Sequence, residues 1–482
     1  MAHADQPPSK PLIADVLASR YASRAMADIW SAEGRIRLER ELWIAVMKAQ
    51  RDLGVAIEPA TIAAYEAVRE QVDLAGIDAR ERVLRHDVKA RIEEFNALAG
   101  HEAIHLGMTS RDLTDNVEQL QLRRAMVLLR DKAVAGLSRL ATLAAQHRET
   151  VLVARTHHVP AQPTTLGRRL AMFGEEMLRG WERLSHVLDT YPLRGIKGAV
   201  GTRLDQISLL GDAAKAETLE RRIAETLGFA AVLDDAGQVY PRSLDFEVVS
   251  ALYQLSAGLA DFAKSMRLMT GHELVSEGFG KDQVGSSAMP HKMNARNCER
   301  IGGFHTLLAG YLEMTARLAG DQWNEGDVAC SVVRRVALPG AMFTMDGALE
   351  TLLTVLDEMD VYESAIAAEV RRQLPFLATT TLLMEAVRRG GGRETLHERI
   401  REHSVAVARG LRDGSLAEND LARRLGDDPA FPMAQGEIDA VLSDPSRFLG
   451  AAPGQVDAFV SRVEAVQRRF PQAAAYRPDP IL

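Results

Sequence analysis

Residues 277 to 299 read Glu-Gly-Phe-Gly-Lys-Asp-Gln-Val-Gly-Ser-Ser-Ala-Met-Pro-His-Lys-Met-Asn-Ala-Arg-Asn-Cys-Glu. Glycines at 278, 280 and 285 precede Ser286 and Ser287, and Lys292, Asn294 and Glu299 follow. Small residues beside hydroxyls, a cation and an amide suit a loop that closes over an anion. An ordinary polar connection is the plainer reading, but long loops in compact domains tend to be functional. Three further segments carry groups able to move protons or hold anions: Arg85-His86-Asp87, Thr109-Ser110 and Arg155-Thr156-His157. Each has a plain alternative: a surface tripeptide, a helix cap and a structural histidine. His101-Glu102-Ala103-Ile104-His105 fits the H-E-x-x-H zinc pattern. That chemistry needs a helix through both histidines and a third ligand. Gly100 and Gly107 bracket the segment and weaken such a helix, and no third-ligand extension follows.

These groups need a scaffold, and the periodicity predicts helices. Val248, Leu252, Leu255, Leu259, Phe262, Met266 and Met269 repeat at 4-3-4-3-4-3 spacing, an apolar seam of the bundle-packing kind. Three similar stripes run from Leu166 to Leu188, from Phe304 to Leu318 and from Met342 to Met359. Together they predict an all-α chain around a long-helix bundle. No alternating run is bounded by hairpin dipeptides, and short extended pieces are expected only near Gly195 to Gly201 and Val232 to Tyr240. The division expected is an N-terminal helical domain at 1–110, the bundle at 111–363 and a C-terminal helical domain at 364–482. The last helix of the C-terminal domain carries Val456, Phe459, Val463, Val466 and Phe470.

Composition bounds the function. The chain has 482 residues, 46% hydrophobic and 26% charged, with a formal net charge of −8. That length supports a core without disulfide or metal staples. An acidic chain lacks the basic footprint of nucleic-acid binders, while local basic pockets for small anions remain open to it. Two cysteines, Cys298 and Cys330, cannot make a disulfide framework, which points to the cytoplasm. No apolar run is long enough to span a membrane, and residues 1–10 have no signal-peptide core.

The run Gly285-Ser286-Ser287-Ala288-Met289-Pro290-His291-Lys292-Met293-Asn294, with Glu299 five residues on, resembles the signature loop of the fumarase/aspartase superfamily. Ser19-Arg20-Tyr21-Ala22-Ser23, Arg85-His86-Asp87-Val88, His105 to Ser110, Arg155-Thr156-His157 with Pro160-Ala161-Gln162, Lys197 to Thr202, Gly237 to Tyr240 and Leu374 to Thr379 narrow the resemblance. They are similar to segments of the adenylosuccinate lyases. The resemblance implies an all-helical, three-domain subunit, a homotetramer with active sites shared between subunits, nucleotide substrates, and neither metal nor organic cofactor. It implies elimination of fumarate from succinyl-amino nucleotides.

Such a site must take a proton from carbon next to a carboxylate, stabilise the charge that develops and protonate the leaving nitrogen. By resemblance, Ser286 is the general base, with loop N–H groups and Lys292 stabilising its alkoxide; the plain reading is that it only binds carboxylate. His157 is the matching general acid, with Thr156 beside it and Glu299 orienting its ring. His158 has the same chemistry, but the motif places the acid directly after threonine. His86 faces substrate, and Asp87 binds ribose or orients His86. Lys292 and Asn294 hold the succinyl carboxylates, and Thr109 and Ser110 bind a carboxylate or cap a helix. Arg20, Tyr21, Arg300, Ser331 and Arg335 resemble phosphate and nucleotide contacts. Arg85, Gln238, Ser287 and Met289 complete the expected substrate contacts.

Two places depart from the family pattern. Gly326 stands where an arginine is common, which shifts phosphate binding toward Arg20 and Arg335. Ala295 stands where proline is common, which leaves the start of the following helix less restrained. Two rivals of other classes are a zinc hydrolase on the His101–His105 pattern and a non-catalytic scaffold that kept the fold. Within the superfamily, argininosuccinate lyase and 3-carboxymuconate cycloisomerase share the loop. The Arg-His-Asp and Ser-Arg-Tyr-Ala-Ser segments favour the purine enzyme.

Overall fold

The computed structural model describes residues 13–278 and 286–478. The elements that frame the site are few. Helix α1 (Val16–Arg20) and α2 (Asp87–Ala99) lie in the N-terminal part. The bundle comprises α3 (Ser110–Gln146), α4 (Leu166–Thr190), α5 (Ser243–Gly271), α6 (Arg296–Leu318) and α7 (Ser331–Glu358). Strands β1 (Val151–Thr156) and β2 (Val159–Thr165) form a hairpin between α3 and α4. Two short strands, β3 (Val275–Ser276) and β4 (Asp360–Val361), pair antiparallel across the bundle. Helices α8 (Glu363–Leu377), α9 (Arg393–Asp413) and α10 (Ala452–Arg469) follow.

The four predicted stripes lie on α4 to α7. Every apolar residue of the α5 seam is buried, from Val248 to Met269. Burial of this kind contributes about 2 kcal/mol per large side chain. One continuous core joins these helices to α3 and to Val456, Phe459 and Val463 of α10. The would-be Cβ of Gly174 meets the Phe459 ring at 2.2 Å, so that glycine admits α10 to the bundle. A second core, from Leu382 to Val441, serves the segment between α8 and α10. Among the described residues, no helix is long and apolar enough to cross a membrane.

The sequence reading misses the longest helix of the bundle. Helix α3 has 37 residues and is buried on several faces, including Asp112, Asp115, Asn116, Gln119 and Lys132. A helix surrounded by others has no single apolar stripe to reveal it.

The hairpin is a correction too. The strands pair Val151 with Thr165 and Thr156 with Val159, and a register shift places an extra residue in β2 between Pro163 and Pro160. The two-residue turn is His157-His158, at φ +52° and +63°. A tight hairpin turn of this class needs positive φ at both positions and usually recruits asparagine and glycine. The histidine pair therefore gives no hairpin signal. The prolines of β2 are tolerated because a two-stranded sheet has only edges. Of the extended pieces expected near 195–201 and 232–240, the structure retains one isolated parallel bridge, Leu193 with Val232.

Candidate active site

Four frames present the candidate residues. The first is the start of α3. Thr109 occupies its N-cap, and the Thr109 backbone N–H donates to Asp112 Oδ2 at 2.8 Å. The other Asp112 oxygen accepts from Arg194 Nη1 at 2.6 Å, Lys197 N at 2.9 Å and Gly198 N at 3.0 Å. One buried carboxylate thus ties Thr109 and Ser110 to the 194–198 turn. Lys197 and Arg203 share Glu220, each at 2.8 Å. The Lys197 to Thr202 segment is held by this buried pairing. Sequence reasoning missed Asp112; its only signal is the acid three residues after a threonine, the spacing of a capping box.

The second frame is the hairpin turn. Thr156 and His157 are exposed at its end. Among the described residues, the His157 ring has no hydrogen-bond partner. The His158 ring lies 5.4 Å from that of His272, which follows α5. Burial and the Arg155 guanidinium lower the His272 pKa, with Glu369 opposing. Behind the turn, Arg155 donates to Glu369 of α8 at 2.7 Å. Non-glycine residues at positive φ are costly, and such positions cluster where geometry serves function.

The third frame is the signature loop. Its residues 279–285, including Gly280 and Gly285, lie outside the described part of the chain. From Ser286 onward the geometry is defined. Ser286 Oγ accepts from the N–H groups of Ala288 at 3.3 Å and Met289 at 3.1 Å. Ser287, Met289 and Lys292 are exposed, Asn294 is half-buried, and Lys292 N bonds Met289 O at 3.0 Å. Both ends of the loop are anchored by Glu277. Its carboxylate accepts from Asn297 N at 2.9 Å and Cys298 N at 3.0 Å, the first free donors of α6. This distant cap restrains the helix start despite Ala295. Burial, then the Glu277 carboxylate, pushes the Cys298 thiol pKa up. Gly278, at φ +90°, passes so close to Glu358 that a Cβ would sit 2.5 Å from its carbonyl oxygen. On α6, Glu299 pairs with Arg267 at 3.6 Å. Among the described residues, no hydrogen bond or ion pair joins Glu299 or Ser286 to His157.

The fourth frame brings Tyr21 and Arg300 together. The Tyr21 ring packs edge-on to Phe304 at 5.2 Å, and the Arg300 guanidinium lies 5.4 Å from the Tyr21 centroid. Arg20 ends α1 and is exposed. The segment is docked by buried groups. Ser23 N donates to Asp346 Oδ2 at 2.6 Å, and Lys132 Nζ, itself paired with Asp346 and Glu350, donates to Ser23 Oγ at 2.8 Å.

The remaining candidates stand apart from these frames. Arg85, at φ +50°, turns the chain into α2, and His86 caps that helix by accepting from Lys89 N at 3.3 Å. Burial alone would raise the Asp87 pKa, but Arg91 at 3.2 Å and the Val88 N–H draw it down. Gln238 N donates to Glu325 O at 2.6 Å, which stitches it to the turn before Gly326. Gly326 has φ +133° and would set a Cβ 2.9 Å from Val239. That backbone explains glycine at this place. Ser331 opens α7 half-buried and Arg335 is exposed on its first turns. Adjacent Arg334 is instead buried, 2.7 Å from Asp245 and 2.6 Å from Glu118.

The His101–His105 segment is not helical. His105 has φ +66°, and its Nδ1 accepts from Trp43 Nε1 at 3.1 Å. Burial drives its pKa down to about 4. The two rings therefore do not share a helix face.

Comparisons with known proteins bear on the family and the fold. A family model described as lyase matches residues 13–309, and one described as adenylosuccinate lyase C-terminus matches residues 375–459. The chain is 35% identical to the adenylosuccinate lyase of Saccharomyces cerevisiae, with 92% of this chain and 93% of the relative covered. It is 32% identical to that of Methanothermobacter thermautotrophicus, with 89% and 98% covered. Among solved structures, the 3-carboxy-cis,cis-muconate lactonizing enzyme of Pseudomonas putida superposes with a TM-score of 0.78 at 23% identity, covering 95% of this chain and 99% of that one. The fumarate lyase of Mesorhizobium sp. BNC1 superposes with a TM-score of 0.76 at 21% identity, covering 94% and 100%. These two show the shared fold.

Proposed function

The chain belongs to the adenylosuccinate lyase family, and we propose that Ser286 and His157 carry the proton transfers of its elimination. The reaction splits the C–N bond of adenylosuccinate to AMP and fumarate, and that of the succinyl-aminoimidazole carboxamide ribotide to the free carboxamide, in purine biosynthesis. Ser286 takes the proton from carbon next to a carboxylate. The electron pair released forms the double bond of fumarate, the C–N bond breaks, and His157 protonates the departing nitrogen.

The observation that carries this reading is the pair of backbone N–H groups aimed at Ser286 Oγ. A serine hydroxyl is a weak base unless its alkoxide is stabilised, and preorganised N–H donors do that. Lys292 supplies a cation on the same loop and, with Asn294, Thr109 and Ser110, takes the succinyl carboxylates. Arg20, Tyr21, Arg300, Ser331 and Arg335 take the phosphate. His86 and Asp87 face the ribose side; Gln238, Ser287, Met289, Arg85 and Thr156 line the substrate. Glu299 orients His157 from another subunit.

Sharing between subunits is supported by what one chain leaves uncovered. Leu307 and Met314 of α6 and Val332 and Val336 of α7 are exposed apolar residues on long helices, the kind of surface a partner covers. We assign a homotetramer, a cytoplasmic location and the three-part division at about residues 110 and 363 on the same reading. The test is to incubate purified protein with adenylosuccinate and follow ultraviolet absorbance, with argininosuccinate as control. Release of AMP and fumarate from adenylosuccinate alone is expected. No change with adenylosuccinate would contradict the proposal.

A further inference from the structure

The segment Leu374 to Thr379 belongs to none of the frames above, yet Phe376 and Leu377 border a large cleft. Residues of β2, α8 and α9 enclose about 950 Å³, near the upper end for small-molecule sites. Arg409 and Arg412, one turn apart on α9, and Arg372 of α8 all line the cleft. Val159, Phe376, Leu377, Val405 and Leu411 supply an apolar floor.

The charge of the lining points to an anionic occupant. Among the described residues, the guanidinium groups of Arg372, Arg409 and Arg412 have no ion pair, in a chain of net charge −8. Other arginines of the same helix do pair: Arg399 with Asp428 and Arg401 with Glu398. We propose that this cleft binds a nucleoside di- or triphosphate, with the arginines taking the phosphates and the apolar floor taking the face of the base. Guanidinium forks match phosphate oxygens in pairs, and three of them balance the charge of a polyphosphate.

The site touches the hairpin. Val159 and Pro160 form one wall of the cleft, and Val159 pairs with Thr156 across the turn that holds His157. Helix α8, the second wall, grips Arg155 of β1 through Glu369. An occupant therefore contacts both elements that hold the turn, and its binding changes turnover. This last step rests on His157 as the acid; the binding itself does not.

The test is calorimetric titration of the full-length protein with ADP, which is neither substrate nor product of the elimination. ADP is expected to bind the parent protein, and R409E/R412E is expected to weaken that binding at least about tenfold. Turnover of adenylosuccinate without ADP should match the parent in that variant. R409Q, a milder change, should give a smaller loss in the same direction and guards against a folding defect. Saturating AMP with fumarate should leave ADP binding intact. The proposal is overturned by no binding of ADP, by equal binding to the variants, or by displacement with AMP. Tripolyphosphate binding as tightly as ADP would overturn the nucleoside part. If adenylosuccinate is not turned over at all, the calorimetry still decides this site, so the two failures are distinguishable.

Discussion

At the tip of the β1–β2 hairpin, two histidines occupy a turn at positive φ, and the His157 ring stands without a partner among the described residues. At the start of α3, Asp112 is fully buried and accepts from Thr109, Arg194, Lys197 and Gly198. The first arrangement leaves a titratable group free to meet something from outside the chain. The second commits its carboxylate to three backbone N–H groups and one buried guanidinium. Proton-transfer groups belong on the first kind of structure, and the frame that aims substrate belongs on the second. The contrast predicts that changes in the two regions separate activity from stability.

The sharpest separation is expected at the loop and the turn. Ser286→Ala and His157→Ala should each lower kcat by about 10³-fold, within the range of general acid–base catalysis. Chemical denaturation midpoints should stay at the parent value, because neither side chain is part of the core. A large shift in midpoint would place these residues with the frame instead.

Asp112→Ala should do the opposite. It strands the buried Arg194 charge, and removing one partner of a buried pair costs about 3–5 kcal/mol. Urea unfolding should report that loss. A variant as stable as the parent would break the claim that Asp112 organises the start of α3.

Glu277→Ala lies between the two. It frees two helix donors and should cost about 1 kcal/mol, as lost caps do. Because Glu277 also ties the loop to α6, the variant should raise KM more than its stability loss suggests. An unchanged KM would assign Glu277 to the helix alone.

The smallest effect is a pH dependence at His105. Its folded pKa of about 4 lies below the usual 6.5. The unfolded chain therefore binds more protons between those values, and stability falls as pH drops from about 6.5 toward 4. His105→Gln should flatten that part of the Tm-versus-pH curve. An identical slope in the variant would show that other groups carry it.

Much of this was legible in the sequence, for physical reasons. The seams of α4 to α6 face the core mainly from one side, so their spacing is visible; α7 is buried all round from Gly340 to Leu353, yet its large apolar residues still keep the 3-4 spacing. Helix α3 is not, because polar residues such as Asp112 and Lys132 are buried within it and paired. The hairpin is invisible because His157 and His158 fill positions where glycine or asparagine normally signals a turn. Candidate residues could be named from motif resemblance, whereas their supports could not. Glu277 reaches across 20 residues to cap α6, and Asp346 reaches Ser23 from 323 residues away. Such contacts depend on tertiary placement that no local pattern encodes. Gly326 is the instructive departure: its missing arginine is read from sequence, but only the φ of +133° gives the reason.

The central claim is that the acid and the base meet across subunits. His157→Ala and Ser286→Ala proteins, each inactive alone, should be mixed, dissociated and reassembled, and turnover of adenylosuccinate then measured. If each site takes His157 and Ser286 from different chains, random reassembly restores about a quarter of the sites. Recovery near that level is the predicted result. Mixed tetramers with no more activity than either parent would contradict it.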